Sequence, residues 1–486
     1  MRRSFLVFAL AASAAALTSF AERQAAACGG CFHPPTQTVS DITDERMLLS
    51  VSPTQSTLYD QIRYAGTPSS FAWVLPIHGT VNVGLSADVL FASVDAVTTT
   101  QIEPPESSCP PIPSDCNGRS GCGASSNSAS GFASPNGVAN AGTVTVTKQQ
   151  NVGPYATVQL HATDSSALND WLTQNGFAIP ADVVPVIDEY VTEGFDFLAM
   201  KLLPNAGIQA MRPVRVTTTG ASFTLPLRMA AVGTGATVGV TIWVVSDGRY
   251  EPQNFPFFHI EDSALVWDWS TSSSNYSTLR AQGEAKLGGK GWEIESSIDV
   301  AEELLTSVVL SGGQYNGQGG FSGNTPSDAN EDYLPVTDPD AGVSRTAEEV
   351  RTDDVGALFA GMAGPNVRIT RLRSDISHAA MTTDFVLQAS KDQSELSNIR
   401  VVTKSVNEQC PIYDSCNVVG TGSADQAVAI SGSTSFGASA MHKGGCVASP
   451  QPSDARIGRF AILAGIAGLV VARVVRRRKR APREMR

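Results

Sequence analysis

The sequence lacks the short motifs that mark common enzyme chemistries. No Gly-x-Ser-x-Gly nucleophile elbow, His-Glu-x-x-His metal-binding pair or Gly-x-x-x-x-Gly-Lys phosphate loop occurs in its 486 residues. Histidine is scarce, and its six residues are scattered along the chain, which argues against a histidine-rich metal site. The sequence therefore predicts no catalytic residues, no cofactor and no metal ligands.

Basic residues are also scarce in the long middle of the chain. Of 34 Lys and Arg residues, 13 lie in residues 1–27 and 456–486, whereas only 2 of the 46 Asp and Glu residues do. This leaves 21 basic against 44 acidic residues in the body of the chain, with no basic stripe. Because phosphate contacts dominate nucleic-acid affinity, we expect no nucleic-acid partner.

The N-terminus has the three regions of a secretory signal peptide. Arg2 and Arg3 precede the apolar run Phe5–Leu17, and small residues follow up to Ala27. A basic region, an apolar region of this length and an Ala-x-Ala-like cleavage site are typical of such signals. The sequence predicts that residues 1–27 are removed and that the remainder is exported.

A second apolar run, Phe460–Ala472, lies near the C-terminus. Thirteen residues span about 20 Å as a helix, less than the hydrocarbon core of a bilayer, but residues 456–475 extend it with arginines only near the ends. Long arginine side chains at such positions can reach the membrane interface. We predict a transmembrane anchor over 456–475, making the membrane a partner through Phe460, Ile462, Leu463, Ile466, Leu469, Val470 and Val471.

Basic residues follow this run and set its predicted orientation. The positive-inside tendency places residues 476–486 in the cytoplasm and the body of the chain outside it. The predicted stop-transfer cluster consists of Arg476, Arg477, Arg478, Lys479 and Arg480. An amphipathic surface helix, a buried core helix or a processed tail are the alternatives. Together with Cys446 and the polar linker after it, the tail resembles the MYXO-CTERM class of bacterial sorting tails, which implies cleavage of the tail and display on the cell surface.

Eight cysteines in an exported chain are expected to form mostly disulfides. The stretches that begin Cys109-Pro110 and Cys410-Pro411 resemble each other, and each contains a second cysteine within seven residues. We predict two local disulfides, Cys109–Cys116 and Cys410–Cys416. A peptide map pairing Cys109 with Cys410 would refute this assignment.

Near the mature N-terminus, Cys28 and Cys31 are candidates for a third structural disulfide. A haem-attachment site would need histidine directly after the second cysteine, but Phe32 intervenes before His33. A metal site and a lipid-modified Cys28 are the alternatives.

Side-chain periodicity predicts an α+β fold: a β-rich exported body of antiparallel sheets with a few short helices, spanning residues 28–400. Strands are predicted at Ser70–Pro76, where large apolar residues alternate, and at the β-branched stretch Phe91–Thr100. Composition predicts a Cys/Ser/Gly insertion at 104–142, a linker at 311–346 and a low-complexity stalk at 401–455. Helices are predicted at Ser165–Asn175, Ala181–Glu193, Val300–Val309 and Ala347–Ala360.

Several segments together resemble one exported bacterial family, catalogued as domain of unknown function 2330. They are Ala27–Gly30, Ser70–Pro76, Trp171-Leu172 with Asn175–Phe177, Leu225–Arg228, Thr370–Arg373 and Asp384–Leu387. The resemblance spans roughly residues 27–390 and departs at the insertion 104–142. It implies export and a β-rich body, and it supplies no activity and no catalytic residues.

Three functions remain open at this point. The first is a non-enzymatic, membrane-anchored envelope protein that binds a partner, which the acidic body without motifs favours. The second is an extracytoplasmic hydrolase, whose site would place His78, His161 or His259 against a carboxylate and a serine. The third is a structural module of a larger envelope assembly.

Overall fold

The computed structural model describes residues 31–32, 42–61, 72–110, 144–175, 183–203, 206, 211–232, 234–310, 332–333, 335–338, 343–414 and 417–427. These residues all belong to the first of the two units into which the chain divides, Met1–Ser431. The predicted signal peptide, anchor and basic tail lie outside the described residues, as do most of the insertion and of the linker.

A first sheet is antiparallel throughout its described strands. In spatial order it contains β1 (Cys31–Phe32), β4 (Ala72–Ile77), β9 (Asp196–Leu202), β8 (Tyr155–His161) and β7 (Thr145–Val152). Helices α2 (Ser165–Gln174) and α3 (Val184–Thr192) contribute Trp171 and Tyr190 to the apolar core on one face. Large side chains alternate along β4, so Trp73 and Val74 lie in the cores on opposite faces.

A second, larger sheet forms the centre of the described body. In spatial order it contains β14 (Phe257–Phe258), β17 (Trp292–Ala301), β20 (Asn366–Ser377), β12 (Thr234–Ser246), β2 (Ile42–Val51), β3 (Gln55–Asp60), β10 (Val214–Thr219) and β5 (Asn82–Leu85). Two pairings are parallel, β2 with β12 and β14 with β17, and the others are antiparallel.

Both faces of this sheet are buried. Along β12, Ile242 and Val244 enter the core of one face, whereas Trp243 and Val245 enter the core of the other. Helices α1 (Asp88–Thr98), α6 (Glu302–Leu310) and α7 (Ala347–Phe359) supply the second core. Burial on both faces explains why the centre of β12 has an almost continuous apolar sequence rather than an alternating one.

The described structure also contains two 3₁₀ helices, Asp262–Ala264 and His378–Ala380. Small sheets and two further α-helices are also present. They are β11 (Thr224–Leu225), β21 (Phe385–Ala389) and β13 (Tyr250–Pro252); β16 (Ser273–Ser274), β15 (Trp267–Asp268) and β23 (Ser405–Val406); β18 (Val336–Asp338) with β19 (Val343–Arg345); β22 (Ile399–Val401) with β6 (Gln101–Glu103); β24 (Cys410–Asp414) with β25 (Asn417–Gly422); and helices α4 (Leu227–Ala230) and α5 (Tyr276–Lys286).

Helix predictions were accurate where the sequence contains capping signals. The predicted helix at Ala347–Ala360 is α7, which begins at a capping box: Thr346 Oγ1 accepts from the Glu349 N–H at 3.2 Å, and the Glu349 carboxylate accepts from the Thr346 N–H at 2.7 Å. The β-rich α+β class is confirmed in outline, since the described residues form several antiparallel sheets and few helices.

The strand predicted at Phe91–Thr100 is wrong, because this segment forms most of helix α1. The helix buries Leu90, Phe91 and Val94 at helical spacing, and the Phe91 ring packs edge-on against Trp243 at 6.2 Å. Packing against the sheet outweighs the weak strand preference of the β-branched residues.

The predicted disulfides Cys109–Cys116 and Cys410–Cys416 are wrong, because the structure joins Cys109 to Cys410 across 301 residues. Strand β22 lies parallel to β6, and this pairing brings the chain after Glu103 beside the chain after Val401. The first cysteines of the two Cys-Pro stretches therefore bond to each other. Cys116, Cys416 and Cys28 lie outside the described residues, so the pairing of Cys31 with Cys28 stays a prediction.

Two segments predicted as loop or stalk contain packed structure. Residues 401–427, predicted as the start of a stalk, include β23, β24 and β25, and Cys410 is fully buried. Within the predicted linker 311–346, the buried Tyr333 donates a hydrogen bond to the Asp354 carboxylate at 2.8 Å.

No helix in the described part of the chain has both the length and the apolar character needed to cross a membrane.

Candidate functional site

The candidate site lies at an interruption in the edge of the large sheet. Strand β14 pairs with β17 only as far as Glu293, and the next partner on this edge is Leu396, which forms a bridge with Ser297. Between these points β17 has a bulge, between Ile294 and Ser296. Bulges often occur at sheet edges, where they redirect side chains and end strand pairing.

Two side chains fill the interruption in place of a strand. His259 Nδ1 lies 3.2 Å from the Ile294 carbonyl, and Arg400 Nη2 donates to the Glu295 carbonyl at 3.1 Å. Arg400 is only 3% exposed, because residues before and after it are held by β6 and by the bridge at Leu396. Buried backbone carbonyls need hydrogen-bond donors, and these side chains supply them.

A half-open cavity of about 270 Å³ lies against this pair. Two chain segments far apart in the sequence form its walls: His259, Glu261, Asp262, Ser263, Leu396, Ser397, Ile399 and Arg400. Its polar groups are two carboxylates, two hydroxyls, the His259 imidazole and the Arg400 guanidinium, and its apolar surface comes from Leu396 and Ile399. Convergent polar groups in a concave surface make this cavity the default binding site of the described body.

Contacts with Arg400 determine the hydrogen-bond partners and the pKa of His259. Arg400 Nη1 donates to the Ile260 carbonyl at 2.9 Å and to Asp262 Oδ1 at 3.0 Å, and it lies 3.0 Å from His259 Nε2. Arg400 also reaches the other ring nitrogen, since its Nη2 lies 3.1 Å from His259 Nδ1, which in turn lies 3.2 Å from the Ile294 carbonyl. Burial and then the Arg400 charge lower the pKa of His259. The imidazole is therefore a neutral structural group, and its lone pair is not free to activate a serine.

The other histidines do not form a hydrolase triad within the described residues. His161 pairs with Asp196 at 2.6 Å on the exposed end of β8, but no serine among the described residues bonds to it. His78 stacks on the ring of Phe195 with centroids 4.0 Å apart. The histidine, carboxylate and serine of the hydrolase hypothesis are thus not brought together in the described structure.

A cluster of buried carboxyl groups lies on β17 near the cavity. The Tyr276 hydroxyl of α5 lies 2.8 Å from Glu293 Oε1 and 3.4 Å from Glu295 Oε1. Burial and then the charge of Glu295 raise the pKa of Glu293 to about 7. Glu293 is fully buried, so a substrate cannot reach it, and the cluster instead fastens α5 to the sheet.

Motif residues that suggested the family resemblance make structural contacts. Arg228 binds the buried Asp384 at 2.8 Å and lies over the ring of Tyr190 at 4.2 Å, and Tyr190 donates to the same carboxylate. Arg371 pairs with Glu295 between β20 and β17. Arg228 and Arg371 therefore help to join the sheets and helices of the described body.

No motif marked Glu261, Asp262 or Arg400 in the sequence. The two cavity segments are separated by more than a hundred residues, and the exposed carboxylates resemble any solvated surface. Within the described residues, no group of three or more His, Cys, Asp or Glu side chains is arranged to hold a metal ion.

Comparison with known proteins assigns the family. The model of a family described as an uncharacterized protein conserved in bacteria, DUF2330, matches residues 22–321. The chain belongs to this family. The match ends earlier than the predicted resemblance to residue 390, so within the cavity it includes His259 to Ser263 but not Leu396 to Arg400. Searches of curated proteins and of solved structures found no match.

Proposed function

We propose that this protein is an exported, non-enzymatic binding module of the cell envelope, held at the membrane by a C-terminal helix at 456–475 with its body outside the cytoplasm. The long-range disulfide Cys109–Cys410 is the observation that supports export most directly. Structural disulfides persist in oxidising compartments and are rare in the cytosol. The signal-peptide pattern of residues 1–27 supports the same location.

The cavity at the edge of β17 supports a binding role over a catalytic one. Its histidine is engaged by Arg400 and by a backbone carbonyl, while carboxylates and hydroxyls also line its walls. Such a surface can hold a partner by hydrogen bonds and charge without a nucleophile or a general base.

Export and tethering are tested together in bacteria that express the full chain. Proteinase K added to intact cells should degrade the body, and Ile466→Arg should move the body from the membrane fraction to the soluble fraction. An arginine in the middle of a membrane helix costs about 2.5 to 3.5 kcal/mol, whereas the control Ile466→Val leaves the run apolar. A body protected from protease, together with free thiols at Cys109 and Cys410, would refute export. Equal membrane retention of both variants would refute the anchor.

A further inference from the structure

The cavity continues along a strand edge that has no neighbour in the described structure. In the pair of β22 with β6, Gln101 N donates to the Asn398 carbonyl at 2.8 Å and Val402 N donates to the Glu103 carbonyl at 3.0 Å. In a parallel pair, successive residues direct their backbone groups to opposite sides of the strand. Ile399 and Val401 therefore direct theirs away from β6.

These outward groups are partly unsatisfied. The Ile399 N–H donates to the Ser397 hydroxyl at 3.0 Å. The Ile399 carbonyl and both backbone groups of Val401 have no partner among the described residues. An uncovered strand edge is a template for pairing with another extended chain.

Side chains on this edge are apolar, which is unusual for an exposed strand. Ile399 is 42% exposed and Val401 is 50% exposed, while Arg400 between them is buried. Natural edge strands are commonly protected by charged residues or proline, and β22 has neither on its exposed positions. Ile399 and Val401 therefore form an apolar surface against which every second side chain of an added strand can pack.

The carboxylates of the cavity indicate which side chain a bound partner strand would carry. At the start of β22 the cavity presents Glu261, which has no ion pair within the described residues, and Asp262, whose Oδ1 binds Arg400 and whose side chain is 49% exposed. Lys404 Nζ donates to the Ser263 carbonyl at 2.5 Å. The Glu261 carboxylate, next to the half-exposed Asp262, suits a lysine or arginine side chain whose methylene groups lie on Leu396 and Ile399.

We propose that β22 and the adjoining cavity, which we call the β22 edge, bind an extended segment of a partner protein that carries alternating apolar residues and one basic side chain. The segment adds as a strand next to Val401, and its basic side chain enters the cavity toward Glu261. This inference rests on the proposed binding function and names the class of partner. Backbone hydrogen bonds would supply affinity, and the cavity would supply the preference for a basic residue.

The test measures binding of two peptides labelled at the N-terminus, fluorescein-VKVTV-amide and fluorescein-VEVTV-amide, to the full chain in detergent by fluorescence anisotropy. We expect the lysine peptide to bind at least about tenfold more tightly than the glutamate peptide. Glu261→Gln should weaken binding of the lysine peptide about two- to fivefold, as expected for loss of one partly exposed charge pair. The matched control Glu303→Gln, an exposed carboxylate on α6, should leave it unchanged.

A second variant tests the strand edge itself. Val401→Pro removes the outward N–H but leaves the β6 hydrogen bonds of the neighbouring residues, so it should abolish peptide binding without changing the thermal unfolding temperature. Equal affinity for both peptides, or equal effects of Glu261→Gln and Glu303→Gln, would overturn the proposal. A dimer that Val401→Pro dissociates in analytical ultracentrifugation would overturn it in favour of a second copy. Each of these results leaves export and tethering intact, since protease accessibility measures those separately.

Discussion

Removing the Cys109–Cys410 disulfide should loosen the C-terminal part of the body before the rest unfolds. This bond joins the chain after β6 to the start of β24, and Glu408 beside it accepts hydrogen bonds from the hydroxyls of Ser107 and Ser108. The chain around β22 is also held by the β22–β6 pair, by the bridge between Leu396 and Ser297 and by the pairing of β23 with β15.

The magnitude follows from the length of the loop that the bond closes. With 301 residues between the cysteines, the loss of chain entropy in the unfolded state corresponds to a stabilisation of about 5 to 6 kcal/mol as an upper value, and typical disulfides contribute about 2 to 4 kcal/mol. The double variant Cys109→Ala with Cys410→Ala should therefore lose at least about 2 kcal/mol of unfolding free energy. Local opening should appear first beside the bond, because among the described strands β24 and β25 pair only with each other.

Guanidinium denaturation measures the global loss, and limited trypsin digestion after Lys404 measures the local opening. Reduced wild-type protein is the control, and it should behave like the double variant in both assays. Non-reducing peptide mapping should recover Cys109 and Cys410 in one linked peptide pair. The reasoning is refuted if mapping instead links Cys109 to Cys116, or if the double variant and oxidised wild type unfold at the same denaturant concentration.

Two further predictions concern α5 and the strand beneath it. Burial raises the pKa of Glu293 from 4.5 to about 7. The free energy of unfolding of the wild type should therefore fall by about 3 kcal/mol as the pH rises from about 4.5 to about 7. Glu293→Gln cannot ionise, so urea denaturation at pH 5 and pH 8 should show a flatter pH dependence for this variant. A variant that loses as much stability as wild type over this range would contradict the assignment. In α5, Gly283→Ala should destabilise the folded protein by about 1 to 3 kcal/mol, because the added Cβ overlaps the Phe258 ring. In α7, the Cβ of Gly356→Ala meets open space, so this variant should stabilise the folded protein by up to about 1 kcal/mol. Thermal unfolding of both variants checks this contrast, and equal shifts of the same sign would disprove the packing argument.

The fold could be predicted where the signal was local. The capping box at Thr346 and Glu349 and the alternating side chains of β4 each depend on neighbours within a few residues. The strand predicted over Phe91 failed because its outcome depended on Trp243, which lies about 150 residues away and receives the helix face. Local preference is worth tenths of a kcal/mol per residue, and a buried aromatic contact outweighs it.

The candidate site could not be predicted, and the reason is topological. Arg400 and His259 meet only because β22 pairs with β6 and because β14 stops short along β17. Neither residue stands in a motif, and their roles come from two carbonyls that a bulge leaves without a strand partner.

The sequence by itself determined the class of protein: its family, its β-rich body, its acidic charge and the helices whose ends are capped by adjacent residues. These properties are carried by composition and by contacts between near neighbours, which any reading of the chain contains. Only the tertiary structure decided which cysteines pair, that Arg400 and a backbone carbonyl engage His259, and where a cavity opens. Those outcomes depend on segments hundreds of residues apart, and their meeting is set by strand order and burial, which leave no local trace.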